Sequence, residues 1–197
     1  MGVAFADLDA DGFTDVFVHD RISKTTRRVS HGMAGAQPNQ TCNGGRISSN
    51  GRFVAYSSLA SNLVPGDTNN NFDAFLFDLV TETTERMSLT AAGVQSSGGG
   101  TAAGVSNDGQ TVVFDSQATD LVSGDTNGFS DLFVRDRAAS TTVRISVSTS
   151  GGEANNGVNS IFRMLPQGGR VYCNSSATNL VLGDTNSSID VFMLPMS

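Results

Sequence analysis

Four runs in this chain hold an apolar centre between polar ends: DVFVHD at 15–20, DAFLFD at 73–78, DLFVRD at 131–136 and DVFMLP at 190–195. An extended chain would point those centres to both faces, so each run predicts a strand covered on both sides. Three of them lead to TTRRVS (25–30), TTERMS (83–88) and TTVRIS (141–146). There the alternation favours one face, which predicts a half-exposed outer strand. Ahead of the central runs lie RFVAYSS, TVVFDSQ and RVYCNSS, which follow Gly51, Gly109 and Gly168. Ahead of those in turn lie GGRISSNG, AAGVSNDG and FRMLPQGG. The order predicts four short strands per unit and no helix.

One phrase joins the second strand of each unit to the third. It reads LDADGFTDVF at 8–17, GDTNNNFDAF at 66–75, GDTNGFSDLF at 124–133 and GDTNSSIDVF at 183–192. Asp9, Asp67, Asp125 and Asp184 share one position in it, at separations of 58, 58 and 59 residues. A fixed period of this size marks a propeller or solenoid and outranks local propensity. Four-stranded units repeated radially are propeller blades. The predicted fold is therefore all-β, a β-propeller arc of about three to four four-stranded antiparallel blades. Residues 1–197 form one repeat domain: 1–30 a partial blade, 31–88 and 89–146 full blades, 147–197 a partial blade.

The units supply two, four, four and three strands, thirteen in all. A closed propeller has about four to eight blades of four strands, so the chain reads as an arc of a larger ring. Met1 stands just ahead of the first copy of the repeat phrase, and the chain is expected to begin partway through a longer architecture. Open blades at both ends predict self-association, because bare strand edges recruit other strands.

Composition narrows the function classes. The net charge of −7 argues against nucleic acid, which needs a basic patch. No apolar run reaches membrane-spanning length. The acidity consists of 16 Asp and 3 Glu, and Asp favours turns over helices. Cys42 and Cys173 fit neither a zinc spacing nor a CxxC pattern and read as buried free thiols.

Carboxylates crowded into a short loop suit calcium, which takes six to eight oxygen ligands. The first copy offers Asp7, Asp9, Asp11, Asp15 and a carbonyl near Phe13, with Gly12 at the turn. The later copies are leaner: Asp67, Asn69 and Asp73; Asp125, Asn127 and Asp131; Asp184, Asn186 and Asp190. The competing reading makes these Asx-turns, in which Asp and Asn bond nearby backbone amides without metal.

ISSNGRFVAYSS and VSNDGQTVVFDS, followed by NLVPGDTNNNFDAFLFD and DLVSGDTNGFSDLFVRD, are similar to the TolB-type, WD-like propeller repeats of bacterial proteins. The resemblance covers essentially the whole chain. LPQGGRVYC at 165–173 departs from the usual serine-aspartate-glycine turn and predicts an irregular blade there. FADLDADGFTDVFV resembles the FG-GAP type of repeat, whose loops hold calcium. Together these imply a non-enzymatic binding or scaffold module with structural calcium, placed outside the cytoplasm in the extracellular space or periplasm. Its partner class would be protein or carbohydrate. The alternative is the propeller segment of a larger enzyme, such as a peptidase.

Catalytic candidates are sparse. His19 and His31 are the two histidines, and His19 fills a slot held elsewhere by Phe77, Arg135 and Leu194. It reads as an ordinary edge residue, since a catalytic role needs a constellation around it. Asp115 and Glu153 fall outside the repeated phrase and read as solvated or channel-facing. Arg28, Arg86 and Arg144 also recur, and read as surface partners for neighbouring Asp.

Overall fold

Extended segments with central apolar residues pair in chain order throughout. The structure, a computed structural model, describes residues 1–165 and 169–196. The first sheet holds β1 (Gly2–Ala6), β2 (Asp15–Asp20) and β3 (Thr25–Arg28). The second holds β4 (Cys42–Ile47), β5 (Phe53–Ser58), β6 (Asp73–Asp78) and β7 (Thr83–Arg86). The third holds β8 (Thr101–Val105), β9 (Thr111–Ser116), β10 (Asp131–Asp136) and β11 (Thr141–Arg144). The fourth holds β12 (Val158–Met164), β13 (Arg170–Ser175) and β14 (Asp190–Pro195). Every pairing is antiparallel.

The first sheet corrects the expected strand count. It has three strands rather than two, because Gly2–Ala6 pairs with β2 from Gly2↔His19 to Ala6↔Asp15. GVAFA is short and built largely of small residues, and it lacks the preceding glycine turn that flags its counterparts. Gly168, predicted to open β13, lies outside the described residues, as does most of the turn expected to be irregular.

Burial explains the two-faced apolar centres. Every residue of β6 is buried, whereas β7 leaves Thr83 and Glu85 exposed. Successive side chains of β6 point to opposite faces. Phe75 and Phe77 pack back with Tyr56 onto Val16 and Val18 of the first sheet. Ala74 and Leu76 pack forward onto Val112, Phe114 and Phe133 of the third. A third layer joins Val113, Leu132 and Val134 to Cys173, Phe192 and Leu194 of the fourth. Tyr56 stacks on Phe75 at 5.8 Å between centroids, and Phe114 on Phe133 at 5.7 Å. Each such aromatic contributes about 1.5–3 kcal/mol through burial.

The stack ends at β14. Val191 is 67% exposed and Met193 45%, while their counterparts Leu132 and Val134 are 0% and 4%. Among the described residues nothing pairs with the outer edge of β14 or the inner edge of β1.

Adjacent sheets are tied at repeated joints. The amides of Cys42, Gly100 and Val158 donate to the carbonyls of Thr14, Phe72 and Ser130, at 2.7, 2.6 and 2.8 Å. The inner strands also approach closely. A methyl on Gly45 of β4 would stand 2.4 Å from Val3 Cγ1 of β1, and one on Gly104 of β8 would stand 2.8 Å from Met164 Cβ of β12.

Candidate functional site: the aspartate loops and their arginine clamps

Each aspartate loop is left-handed at one shared position, after the third ligand-type residue: Gly12 (φ 91°), Asn70 (54°), Gly128 (70°) and Ser187 (52°). Glycine takes this conformation freely and asparagine tolerates it, so the repeat writes mostly short or flexible residues there. Asx-turns brace the loops. The Oδ1 atoms of Asp11, Asn69, Asn127 and Asn186 accept from the amides of Phe13, Asn71, Phe129 and Ser188, at 2.8–3.0 Å.

The repeated aspartates converge on an arginine from the outer strand. In the second sheet Arg86 lies 3.3 Å from Asp67 and 3.5 Å from Asp73. Ser88 Oγ donates to Asp73 Oδ1, and Gln95 Nε2 donates to Asp67 at 2.9 Å and Asp73 at 3.2 Å. The third sheet repeats this with Arg144, 3.3 Å from Asp125, 3.4 Å from Asp131 and 2.9 Å from Glu153. Ser146 Oγ donates to Asp131 Oδ1. In the first, Arg28 bonds Asp9 at 2.8 Å and Asp15 at 3.1 Å, Ser30 Oγ donates to Asp15, and Gln37 to Asp9. The hydroxyls of Ser30, Ser88 and Ser146 also accept from the amides of Val16, Ala74 and Leu132.

These arginines are not surface partners. Arg86 is buried, and the side chains of Asp67 and Asp73 are 5% and 0% exposed. Glu153 is likewise not merely solvated. It accepts from the Thr126 amide and hydroxyl, both at 2.7 Å, and takes the place of Gln37 and Gln95. Those bonds, with Arg144 beside them, hold its carboxyl down at about 2. Burial pushes the Asp15 and Asp73 carboxyls up despite their serine and arginine partners. Asp125 also rises, through burial and the neighbouring Asp131 charge. Asp9 is lowered, first by the Gln37 amide.

The donor sets bear on a cation. At the second and third loops Asn69 and Asn127 turn amide NH2 groups toward Asp73 and Asp131, at 3.3 and 3.0 Å, beside the guanidinium. That arrangement already supplies the positive charge and presents N–H where calcium needs oxygen. The first loop fits a cation better. Carboxylate oxygens of Asp7, Asp9 and Asp11, all exposed, lie within 4.8 Å of one another. Asp15 is not brought to that group; it faces Arg28 and Ser30. At the fourth loop Asp184 and Asp190 line one groove with Asn186, and Asp184 Oδ1 is buried without a hydrogen-bond partner among the described residues.

The remaining candidates lie elsewhere. His19 Nδ1 bonds Thr26 Oγ1 at 2.9 Å at the outer edge of the first sheet, and His31 packs against Phe77 at 6.0 Å. Asp115 in β9 has its carboxyl raised by burial and faces Ser130. Cys42 and Cys173 are buried and unpaired, in different sheets.

Four antiparallel sheets of three or four strands, stacked in chain order, make this a partial β-propeller. No protein-family model and no curated protein matches the chain. Solved structures do. TolB from Acinetobacter baumannii aligns over 97% of this chain and 37% of its own, with TM-score 0.54 and 14% identity. The β-propeller domain of the trilobed protease from Pyrococcus furiosus, described as having an open velcro topology, aligns over 98% and 49%, with TM-score 0.50 and 10% identity. A structure from a study of two prolyl endopeptidases aligns over 93% and 24%, with TM-score 0.51 and 10% identity. The fold is thus TolB-like, and the chain spans about a quarter to a half of the length of these three structures.

Proposed function

We propose that the chain is a non-enzymatic β-propeller binding or scaffold module that acts outside the cytoplasm and holds calcium at the Asp7–Asp11 loop. The convergence of three exposed carboxylates within 4.8 Å carries the metal reading, since Arg28 reaches only Asp9 of the three and the Asp7 and Asp11 charges beside it have no arginine partner among the described residues. Asp7, Asp9 and Asp11 would hold the ion, with the Phe13 carbonyl as a further oxygen. An exposed site of few ligands suits the high calcium levels found outside cells. Arg86 and Arg144 do the same electrostatic work at the second and third loops. The binding-module reading draws support from these clamps, which commit the repeated buried carboxylates to holding loops rather than to acid–base chemistry. Among the described residues no helix is long and apolar enough to cross a membrane. A second reading, the propeller part of a larger hydrolase, takes its support from the peptidase propellers among the fold neighbours.

Calorimetric titration and thermal melting test the metal. A ligand at a hundred times its Kd stabilises by about 2.7 kcal/mol, so millimolar calcium should raise the melting temperature. Asp7→Asn with Asp11→Asn should abolish the gain and leave the Arg28 clamp intact. A melting curve unchanged from micromolar to millimolar calcium would leave the first loop as an Asx-turn.

A further inference from the structure

The seam between the second and third sheets holds a buried cation. Arg135 of β10 reaches back into it and is 6% exposed. Its Nη1 donates to Thr142 Oγ1 at 3.1 Å and, more loosely, to the Thr90 carbonyl at 3.4 Å. Thr142 Oγ1 in turn donates to the Leu89 carbonyl at 2.6 Å. Neutral oxygens alone therefore hold a guanidinium there among the described residues.

One repeat earlier, the seam between the first and second sheets is built alike. Its turn closes from the Gly35 amide to the Gly32 carbonyl at 3.0 Å, as Gly93 closes onto Thr90 at 2.9 Å. Thr84 stands for Thr142, but Phe77 stands for Arg135 and packs on His31 at 6.0 Å. A cleft of about 420 Å³ lies beside them, lined by His31, Gly32, Leu63, Glu82 and Thr84. Thr84 is half-buried on this cleft, whereas Thr142 is buried under its arginine.

Two substitutions make this cleft more receptive to a cation than its counterpart. Glu82 replaces Ser140 at the turn; Arg27 bonds its Oε1 at 2.9 Å, and Oε2 has no hydrogen bond among the described residues. Tyr56 replaces Phe114, and its hydroxyl, fully buried beside Thr84, has no well-aligned hydrogen bond among the described residues. The Thr84 hydroxyl can donate to that oxygen and keep its lone pairs for a ligand, as Thr142 donates to Leu89 while accepting from Arg135.

We propose that this cleft binds a guanidinium group carried by a peptide arginine, with Glu82 Oε2, Thr84 Oγ1 and the Gly32 carbonyl as acceptors. Charge complementarity selects the ligand, since a planar fork of N–H donors fits one carboxylate and two neutral oxygens. Arg27 does not block it, because that pair is exposed on both sides and so contributes little. The inference gives the binding module proposed above a ligand class and does not depend on calcium at the first loop.

Nα-acetyl-arginine amide titrated into the ¹⁵N-labelled intact chain, with chelator present, tests it by NMR. Saturable shifts are expected at residues 31–35, 82 and 84, with a Kd of about 1 mM or tighter. The citrulline analogue, equal in shape but uncharged, should bind about tenfold more weakly or worse. Glu82→Gln should weaken binding by about threefold to fivefold, and Arg27→Gln, which frees the second Glu82 oxygen, should tighten it. Equal affinity for the citrulline analogue would overturn the guanidinium site, as would shifts that do not saturate. Weakening by Arg27→Gln would make Arg27 the ligand's partner and the site one for an anion. Tighter binding of free arginine than of the amide would overturn the peptide source. Failure of the calcium titration would leave all these outcomes unaffected.

Discussion

Replacing Arg86 by methionine removes the positive charge from a buried clamp while keeping most of the aliphatic stem. Two carboxylates then remain in the interior without their partner, a loss that costs about 3–5 kcal/mol for buried pairs. The contacts here are long, 3.3 Å to Asp67 and 3.5 Å to Asp73, and Arg86 Nε and Nη2 lack well-aligned hydrogen bonds. The lower end, about 3 kcal/mol, is therefore expected. For a chain of this size that corresponds to a fall of about 6–12 °C in melting temperature. Arg27→Met is the matched control, because Arg27 and Glu82 are 46% and 69% exposed and such pairs contribute about 1 kcal/mol or less. Combining Arg86→Met with Asp67→Asn and Asp73→Asn should regain much of the loss by removing the stranded charges. Thermal melts by circular dichroism, at one salt concentration, measure all three. If Arg86→Met costs no more than Arg27→Met, or if the neutral triple variant is no better than the single one, the clamp is not a buried electrostatic lock.

Three further outcomes are expected. Gly99→Ala should destabilise by about 2 kcal/mol or more, read from urea midpoints, because φ is +66° and the new methyl would stand 2.2 Å from the Phe72 carbonyl oxygen. Glu153 has a folded pKa of about 2 against an ordinary 4.5, so its stabilising share is complete above pH 4.5 and fades as pH falls toward 2. The stability difference between the native chain and Glu153→Gln should shrink over that window, and a difference unchanged between pH 6 and pH 2 would contradict the pairing. Cys42 and Cys173 are buried, with thiols pushed up to about 11, so a thiol reagent at pH 8 should label both in urea and neither in the folded chain.

The blade pattern was readable because it is periodic: a 58-residue recurrence and a two-faced apolar centre survive any local ambiguity. The strand over Gly2–Ala6 lacked both cues. Its partner β2 was recognisable, but a run of small residues beside an aspartate-rich loop carries no alternation of its own. The clamps were half visible. Arg28, Arg86 and Arg144 recur as strictly as the aspartates, yet what joins them is antiparallel register, which places residue 86 beside 67 and 73 only once β6 and β7 pair. Spacing alone could not distinguish a surface pair from a buried one. Glu153 was hidden by a substitution, since its counterparts are Gln37 and Gln95 and only the shared period links them.

The inner-strand glycines set an angle. With no side chain at Gly45 or Gly104, the first and second sheets, and the third and fourth, approach closely at their inner strands, while Phe75 and Phe192 fill the layers between them farther out. Each of these two pairs of sheets is therefore a wedge, and the wedge angle decides how many would complete a circle. An alanine at Gly104 would have to push β8 away from Met164, flattening the wedge and increasing the number of blades needed to turn through 360°. Curvature at these two interfaces is thus a matter of one missing carbon each, and ring size could be altered there without touching a loop.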